Sequence, residues 1–217
     1  MTRSGFDGFI FDMDGTLLHT LPDLVVVTNM ALEKEGLPPR TSNEILHFVG
    51  NGVMSLVVQA VPDGTSDEQA KRVFNNFKNM YAQFGMEKTK PFDHMVETLH
   101  TLKTKGKKLG IVSNKFEQGV KEVEAHFFPD MFDVAHGESE TIKRKPDPSG
   151  LLATAREMGL APDRCVYFGD SAGDMVAAHN AGMYGVGVTW GYQTLEQLNS
   201  GNPDELIGDP CEILRFV

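Results

Sequence analysis

The first strand-like run of this chain, Phe6 to Phe11, is separated from the next, Leu109 to Val112, by a long stretch of purely helical character. From about residue 92 onward the pattern changes: helical segments alternate with short apolar runs at Leu109 to Val112, Phe132 to Ala135, Cys165 to Phe168 and Tyr184 to Val188. Alternation of that kind is the mark of a parallel sheet covered by helices on both faces. At least five strands are therefore expected, in an α/β, Rossmann-like doubly wound core interrupted by an all-helical insertion. The boundaries read as 1–17 and 89–217 for the α/β core and 18–88 for the helical cap.

Local signals support both parts. Leu151, Leu152, Ala155 and Met158 recur at helical spacing and stop at Gly159, and the segment Met175 to Ala181 stops at Gly182, a residue suited to ending helices. Within the insertion, Gly36-Leu37-Pro38-Pro39 and Pro62-Asp63-Gly64 are breaks, while Thr41 with Glu44 and Ser66 with Gln69 have capping-box spacing. Ala70, Val73, Phe74, Phe77, Tyr81 and Phe84 line one helix face, a pattern that reads as cap core rather than a ligand site. The return linker falls near Gly85 to Pro91, so two chain crossings could act as hinges.

Composition excludes several function classes. Apolar content of 41% suits a globular protein of 217 residues, and the charges are mixed along the chain without low-complexity tracts. The segment Met1 to Phe11 carries one Arg and too short an apolar run for a signal peptide or membrane span, so a cytoplasmic protein without a membrane partner is expected. A net charge of −10 disfavours nucleic-acid partners, whose affinity depends on Lys and Arg. Lys103, Lys105, Lys107 and Lys108 read as a solvated helix end, where cations suit the dipole. Cys165 and Cys211 show neither metal-ligand nor redox spacing and read as structural thiols.

The chemistry gathers at strand ends, the edge where open α/β sheets bind ligands. Asp12 and Asp14 leave the first strand two residues apart, so both acids can face one ligand. Crowded carboxylates call for a cation or a shared proton. Asp170 follows another strand and Asp174 comes one helical turn later; with Asp12 and Asp14, Asp170 could complete the oxygen shell of a hard divalent ion such as magnesium. Ser113 and Asn114 offer a hydroxyl and an amide to phosphate oxygens, and Lys145, braced by Pro146 and Pro148, can neutralise them. Each group has a plainer alternative, an acidic turn or an ordinary helix cap.

Asp12-Met13-Asp14-Gly15-Thr16-Leu17, Ser113-Asn114, Lys145-Pro146 and Gly169-Asp170-Ser171 with Asp174 occur in the order of four motifs, and in this the chain resembles the haloacid dehalogenase superfamily of phosphatases. The insertion, with Thr20-Leu21-Pro22-Asp23-Leu24 and Val49-Gly50-Asn51-Gly52, is similar to the phosphoglycolate phosphatase group. The resemblance implies a magnesium-dependent phosphatase that hydrolyses a small phosphate monoester through an aspartyl-phosphate. In that scheme Asp12 is nucleophile and Asp14 acid and base; Ser113, Asn114 and Lys145 bind phosphate. Asp12, Asp170 and the main-chain carbonyl of Asp14 hold the metal, and Gly15, Thr16 and Asp174 support. Gly50, Asn51 and Gly52 are expected as cap contacts to substrate. An acid at position 14 sets the chain apart from superfamily members that displace halide or cleave carbon–phosphorus bonds. His19 and Ala172-Gly173 depart from the family pattern. His19 reads as a cap-linker side chain, Lys115 as either a substrate contact or a surface residue, and Trp190 and Tyr192 as packing. A phosphosugar mutase and a phospho-aspartate signalling module remain alternatives, and either a monomer or a homodimer is compatible.

Overall fold

A computed structural model describes residues 3–217. The elements run in order β1 Gly8–Phe11, β2 Leu18–His19, α1 Leu21–Lys34, α2 Ser42–Phe48, α3 Gly52–Ala60, α4 Asp67–Phe84 and β3 Lys90–Pro91. Then follow α5 Met95–Thr104, β4 Lys108–Phe116, α6 Glu117–Phe127, β5 Val134–Glu138, α7 Ser149–Glu157, β6 Cys165–Gly169, α8 Ala172–Asn180, β7 Tyr184–Val188, α9 Leu195–Asn199, β8 Glu205–Ile207 and a closing 3₁₀ turn at Pro210–Phe216. The chain divides into two compact units, one running through Leu18 and resuming as Pro91–Val217, the other His19–Lys90. No helix is long and apolar enough to cross a membrane among the described residues.

The larger unit is built on a six-stranded sheet in the order β5-β4-β1-β6-β7-β8, and every pair along it is parallel. The first strand thus lies between β4 and β6, so three strand ends that carry polar residues in sequence are neighbours in space. Side chains alternate across the pleat. Phe9 and Phe11 stack on Phe168 at centroid distances of 6.1 and 5.1 Å on one face. Ile10 and Tyr167 pack with Val112, Leu151, Ala155, Ala177 and Ala178 on the other. Apolar burial on both faces explains why these strands read as nearly continuous hydrophobic runs.

The sheet meets the minimum of five expected strands and adds a sixth, Glu205–Ile207, which the apolar runs do not announce. Two expectations need adjusting. The strand expected at Phe132 to Ala135 begins at Val134, because Asp133 is used for anchoring: its carboxylate accepts from Leu109 N at 2.8 Å and its own N–H donates to Leu109 O at 2.8 Å. Of the α7 quartet, Leu151, Ala155 and Met158 are buried, but Leu152 faces solvent.

The smaller unit is helical. Leu24, Val27, Ala31, Ile45, Leu56, Val57, Val73, Phe77 and Tyr81 form its core, with Phe74 and Phe84 packed alongside. Thr41 and Glu44 make a full capping box. Ser66 caps α4 through Gln69 N, but the Gln69 side chain reaches across to Glu35 O at 3.1 Å, so that box is half made. Asp23, buried in the first turn of α1, ties down the returning chain: its carboxylate accepts from Lys88 N at 2.9 Å and from Thr89 N and Oγ1 at 2.7 Å each.

Candidate active site

Asp12 follows β1 directly and its N–H donates to Phe168 O at 2.9 Å, which stitches the residue to the end of β6. The chain then turns at once. Leu17 and Leu18 N–H groups converge on Met13 O, and Gly15, at φ +87°, donates to Leu18 O. A side chain at Gly15 would strain this backbone and its Cβ would lie 2.3 Å from Asp170 Oδ2, so glycine lets this loop approach that acid.

Lys145 links the strand ends. Its Nζ lies 2.7 Å from Asp12 Oδ1, 2.6 Å from Asp174 Oδ1 and 2.9 Å from the Tyr167 hydroxyl, and its backbone N–H donates to Asn114 Oδ1 at 2.8 Å. An ammonium has three protons, and here three acceptors surround it. Burial works against the charge on Lys145, yet Asp12 and Asp174 outweigh it and hold its pKa above the ordinary lysine value. For Asp12 burial wins, pushing the carboxyl up to about 7 against the pull of Lys145, with repulsion from Asp174 and Asp14 adding to the rise. Burial likewise raises Asp170 well above the carboxylate range, helped by repulsion from Asp12 and Asp174 and opposed by the Tyr192 N–H and Lys145.

Asp12, Asp170 and Asp174 each bring a carboxylate oxygen within 4.8 Å of the others. Asp174 is fully engaged: Oδ1 meets Lys145 and Tyr167, and Oδ2 accepts from Ser171 N at 3.0 Å and from the Ser171 hydroxyl at 2.5 Å. Asp12 and Asp170 each keep an oxygen outside these bonds, so they are the pair fit to ligate a cation. Hard oxygen donors, crowded together and raised in pKa by burial and then by mutual repulsion, suit a hard divalent ion such as magnesium.

Ser113 and Lys115 extend from the end of β4. The Ser113 hydroxyl accepts from Lys115 N at 3.2 Å, and Lys115 Nζ lies 3.5 Å from Asp14 Oδ2. Among the described residues, Asp14 Oδ1 and Thr16 Oγ1 are buried and meet no hydrogen-bond partner. Thr16 anchors its loop by the main chain instead, its carbonyl accepting from Trp190 Nε1 at 3.0 Å.

A family model for haloacid dehalogenase-like hydrolases matches residues 9–188, a span that contains every one of these strand ends. The chain belongs to the haloacid dehalogenase-like hydrolases. It is 33% identical over 215 residues to a phosphoglycolate phosphatase of Mannheimia succiniciproducens, covering 95% of this chain and 96% of that protein. A phosphoglycolate phosphatase of Escherichia coli K12 is 32% identical, with 91% and 86% covered. A crystal structure described as a predicted phosphoglycolate phosphatase from Haemophilus somnus superposes with a TM-score of 0.90 at 30% identity, over 97% of both chains.

Within this hydrolase fold, Asp12, Asp14, Ser113, Asn114, Lys145, Asp170 and Asp174 all lie at the C-terminal ends of β1, β4 and β6 or in the segments that follow β5 and β6. Gly50, Asn51 and Gly52 belong to the other unit, where Gly50 (φ +109°) and Gly52 (φ +78°) shape the turn between α2 and α3. His19 also falls there, its pKa lowered by burial and then by Lys90.

Two contributors escaped the sequence reading. Tyr167 looked like one more apolar residue of a strand, and nothing in a strand run signals that a hydroxyl at its centre reaches a lysine. Trp190 and Tyr192 read as packing residues, and Trp190 does lie against Phe92 at a centroid distance of 6.4 Å. Beyond packing, the Tyr192 N–H donates to Asp170 Oδ2 at 2.7 Å, and a Cβ at Gly191 would fall 2.1 Å from Asp170 Cβ. The one visible hint was a glycine placed between two aromatics.

Proposed function

We propose that the chain is a magnesium-dependent phosphatase that hydrolyses a small phosphate monoester of the phosphoglycolate type through an aspartyl-phosphate on Asp12. The observation that carries this reading is the Lys145 ammonium held between Asp12 and Asp174 with Asp170 alongside. A nucleophilic carboxylate, a fixed cation and a second acid for the metal are the parts that phosphoryl transfer requires. Phosphoglycolate comes from the relatives of similar length that carry that name.

In this mechanism Asp12 attacks phosphorus in line with the departing oxygen. Lys145 offsets charge on the phosphoryl oxygens, while Ser113 and Asn114 orient them. Asp14 gives its proton to the leaving alkoxide, then takes one from the water that opens the aspartyl-phosphate. Asp12, Asp170 and the main-chain carbonyl of Asp14 would hold magnesium, which when bound supplies further charge neutralisation at the phosphoryl group. The family resemblance gives the helical unit the part of a substrate-selecting cap, with Gly50, Asn51 and Gly52 as its substrate contacts. A cytoplasmic setting, as monomer or homodimer, completes the proposal.

The test is release of inorganic phosphate from a panel of small monoesters with and without magnesium. Hydrolysis of phosphoglycolate that stops on metal removal is expected. Turnover that persists in chelator, or an absence of phosphate release from every ester, contradicts the proposal. Asp12→Asn should abolish turnover. Asp14→Asn should lower kcat by about 10²- to 10⁴-fold, the usual worth of a positioned acid-base group.

A further inference from the structure

Lysine side chains are seldom buried without a specific reason, because withdrawing an ammonium from water is costly. Lys145 has such a reason in Asp12 and Asp174. Lys115 is a second case, its side chain only 4% exposed. Its place is prepared by two glycines: a Cβ at Gly119 would lie 3.2 Å from Lys115 Cδ, and a Cβ at Gly137 would lie 2.4 Å from Lys115 O. Space for both the stem and the main chain of this residue is therefore built into α6 and β5.

The two ammonium groups serve different acids. Lys145 meets Asp12, the proposed nucleophile, at 2.7 Å, whereas Lys115 lies 3.5 Å from Oδ2 of Asp14. At that separation the contact is an ion pair rather than a short hydrogen bond. If Asp14 hands its proton to the departing oxygen, the atoms next to that oxygen lie within reach of Lys115. A positive charge fixed there, in a region shielded from water, favours a leaving alcohol that carries its own negative charge.

We propose that Lys115 is a specificity-determining residue that recognises a carboxylate on the leaving-group side of the substrate. The proposal rests on the reading of Asp14 as the acid for the leaving group. It restricts the substrate class to phosphate monoesters of short hydroxy acids, and it gives Lys115 a task distinct from phosphate binding.

The test compares phosphoglycolate with ethyl phosphate, an ester of the same chain length without the carboxylate, in the full chain with magnesium. The unmodified protein is expected to favour phosphoglycolate in kcat/KM. In Lys115→Met that ratio should fall at least about tenfold, mainly through KM for phosphoglycolate, because a buried carboxylate loses its partner. Lys115→Arg should keep most of the preference. A Lys115→Met protein that loses activity equally on both esters overturns the proposal, since a residue that only braces Asp14 would behave so. Should the substituted proteins fail to fold, equal kcat/KM for the two esters in the unmodified protein overturns it without any substitution. Phosphate release from no ester of the panel removes the phosphatase reading and the proposal with it, whereas cleavage of both esters without discrimination, or of other monoesters but not phosphoglycolate, removes the proposal alone.

Discussion

At the scale of single residues, the centre of the site is a lysine whose three protons meet three acceptors. Two of them, Asp12 and Asp174, are carboxyl groups; the third, the Tyr167 hydroxyl, also lies 3.0 Å from Asp174 Oδ1 and 3.1 Å from Val112 O. Tyr167→Phe keeps the ring in its packing but strips these partners, leaving buried polar groups unsatisfied at about 1–3 kcal/mol. Chemical denaturation should show that loss, and inorganic phosphate should bind more weakly as Lys145 gains freedom. Unchanged stability and phosphate affinity would contradict the placement. The acids and hydroxyls that close strands were legible in the sequence, because a polar residue directly after an apolar run has to sit at a sheet edge. Tyr167 was not, since its ring satisfies the strand pattern and its hydroxyl acts from inside it.

At the scale of elements, short connections do work that periodicity cannot reveal. The segment after β7 holds the site at several points: Trp190 on Thr16 O, Tyr192 N–H on Asp170, and Gln193 Oε1 accepting from Ala172 N at 2.9 Å. Gly191→Ala places a Cβ 2.1 Å from Asp170 Cβ, so this carboxylate must shift. The expected result is magnesium affinity weakened by about 10- to 100-fold, the usual cost of disturbing the partners of a metal ligand, read by calorimetric titration. Wild-type affinity would contradict it. In the helical unit, Asp23→Ala leaves the Lys88 and Thr89 N–H groups without their acceptor and should cost about 1–3 kcal/mol in that unit, measurable as faster amide exchange at these positions. Helices with clear caps, such as α2 and α4, were readable from Thr41 and Ser66. Strand β8 was not, being three residues long with Glu205 among them, and it is held by pairing to β7 rather than by its own pattern.

At the scale of the whole molecule, the buried acids couple stability to pH and to metal. Asp12 has a folded-state pKa of about 7 against an ordinary 3.8, so in the absence of metal the folded chain holds a proton that the unfolded chain releases between these values. Its contribution to stability is therefore largest below 3.8 and is lost as pH rises through 7; Asp170 shifts in the same direction. Lys145, raised above the ordinary lysine value, stays charged throughout this window. Magnesium must displace these protons, so it should raise Tm more at pH 8 than at pH 5.5. An equal rise at both pH values would contradict the assignment of Asp12 and Asp170 as its ligands.

The central claim is that residues distant in sequence meet around one phosphorus atom, with Asp12 as the group that takes it. The most direct measurement is mass spectrometry of Asp14→Asn protein, acid-quenched within a single turnover of phosphoglycolate with magnesium. The expected result is a phosphoryl group on Asp12 that disappears on longer incubation. Phosphate release with no modification of Asp12, or a label carried by a different side chain, would contradict it.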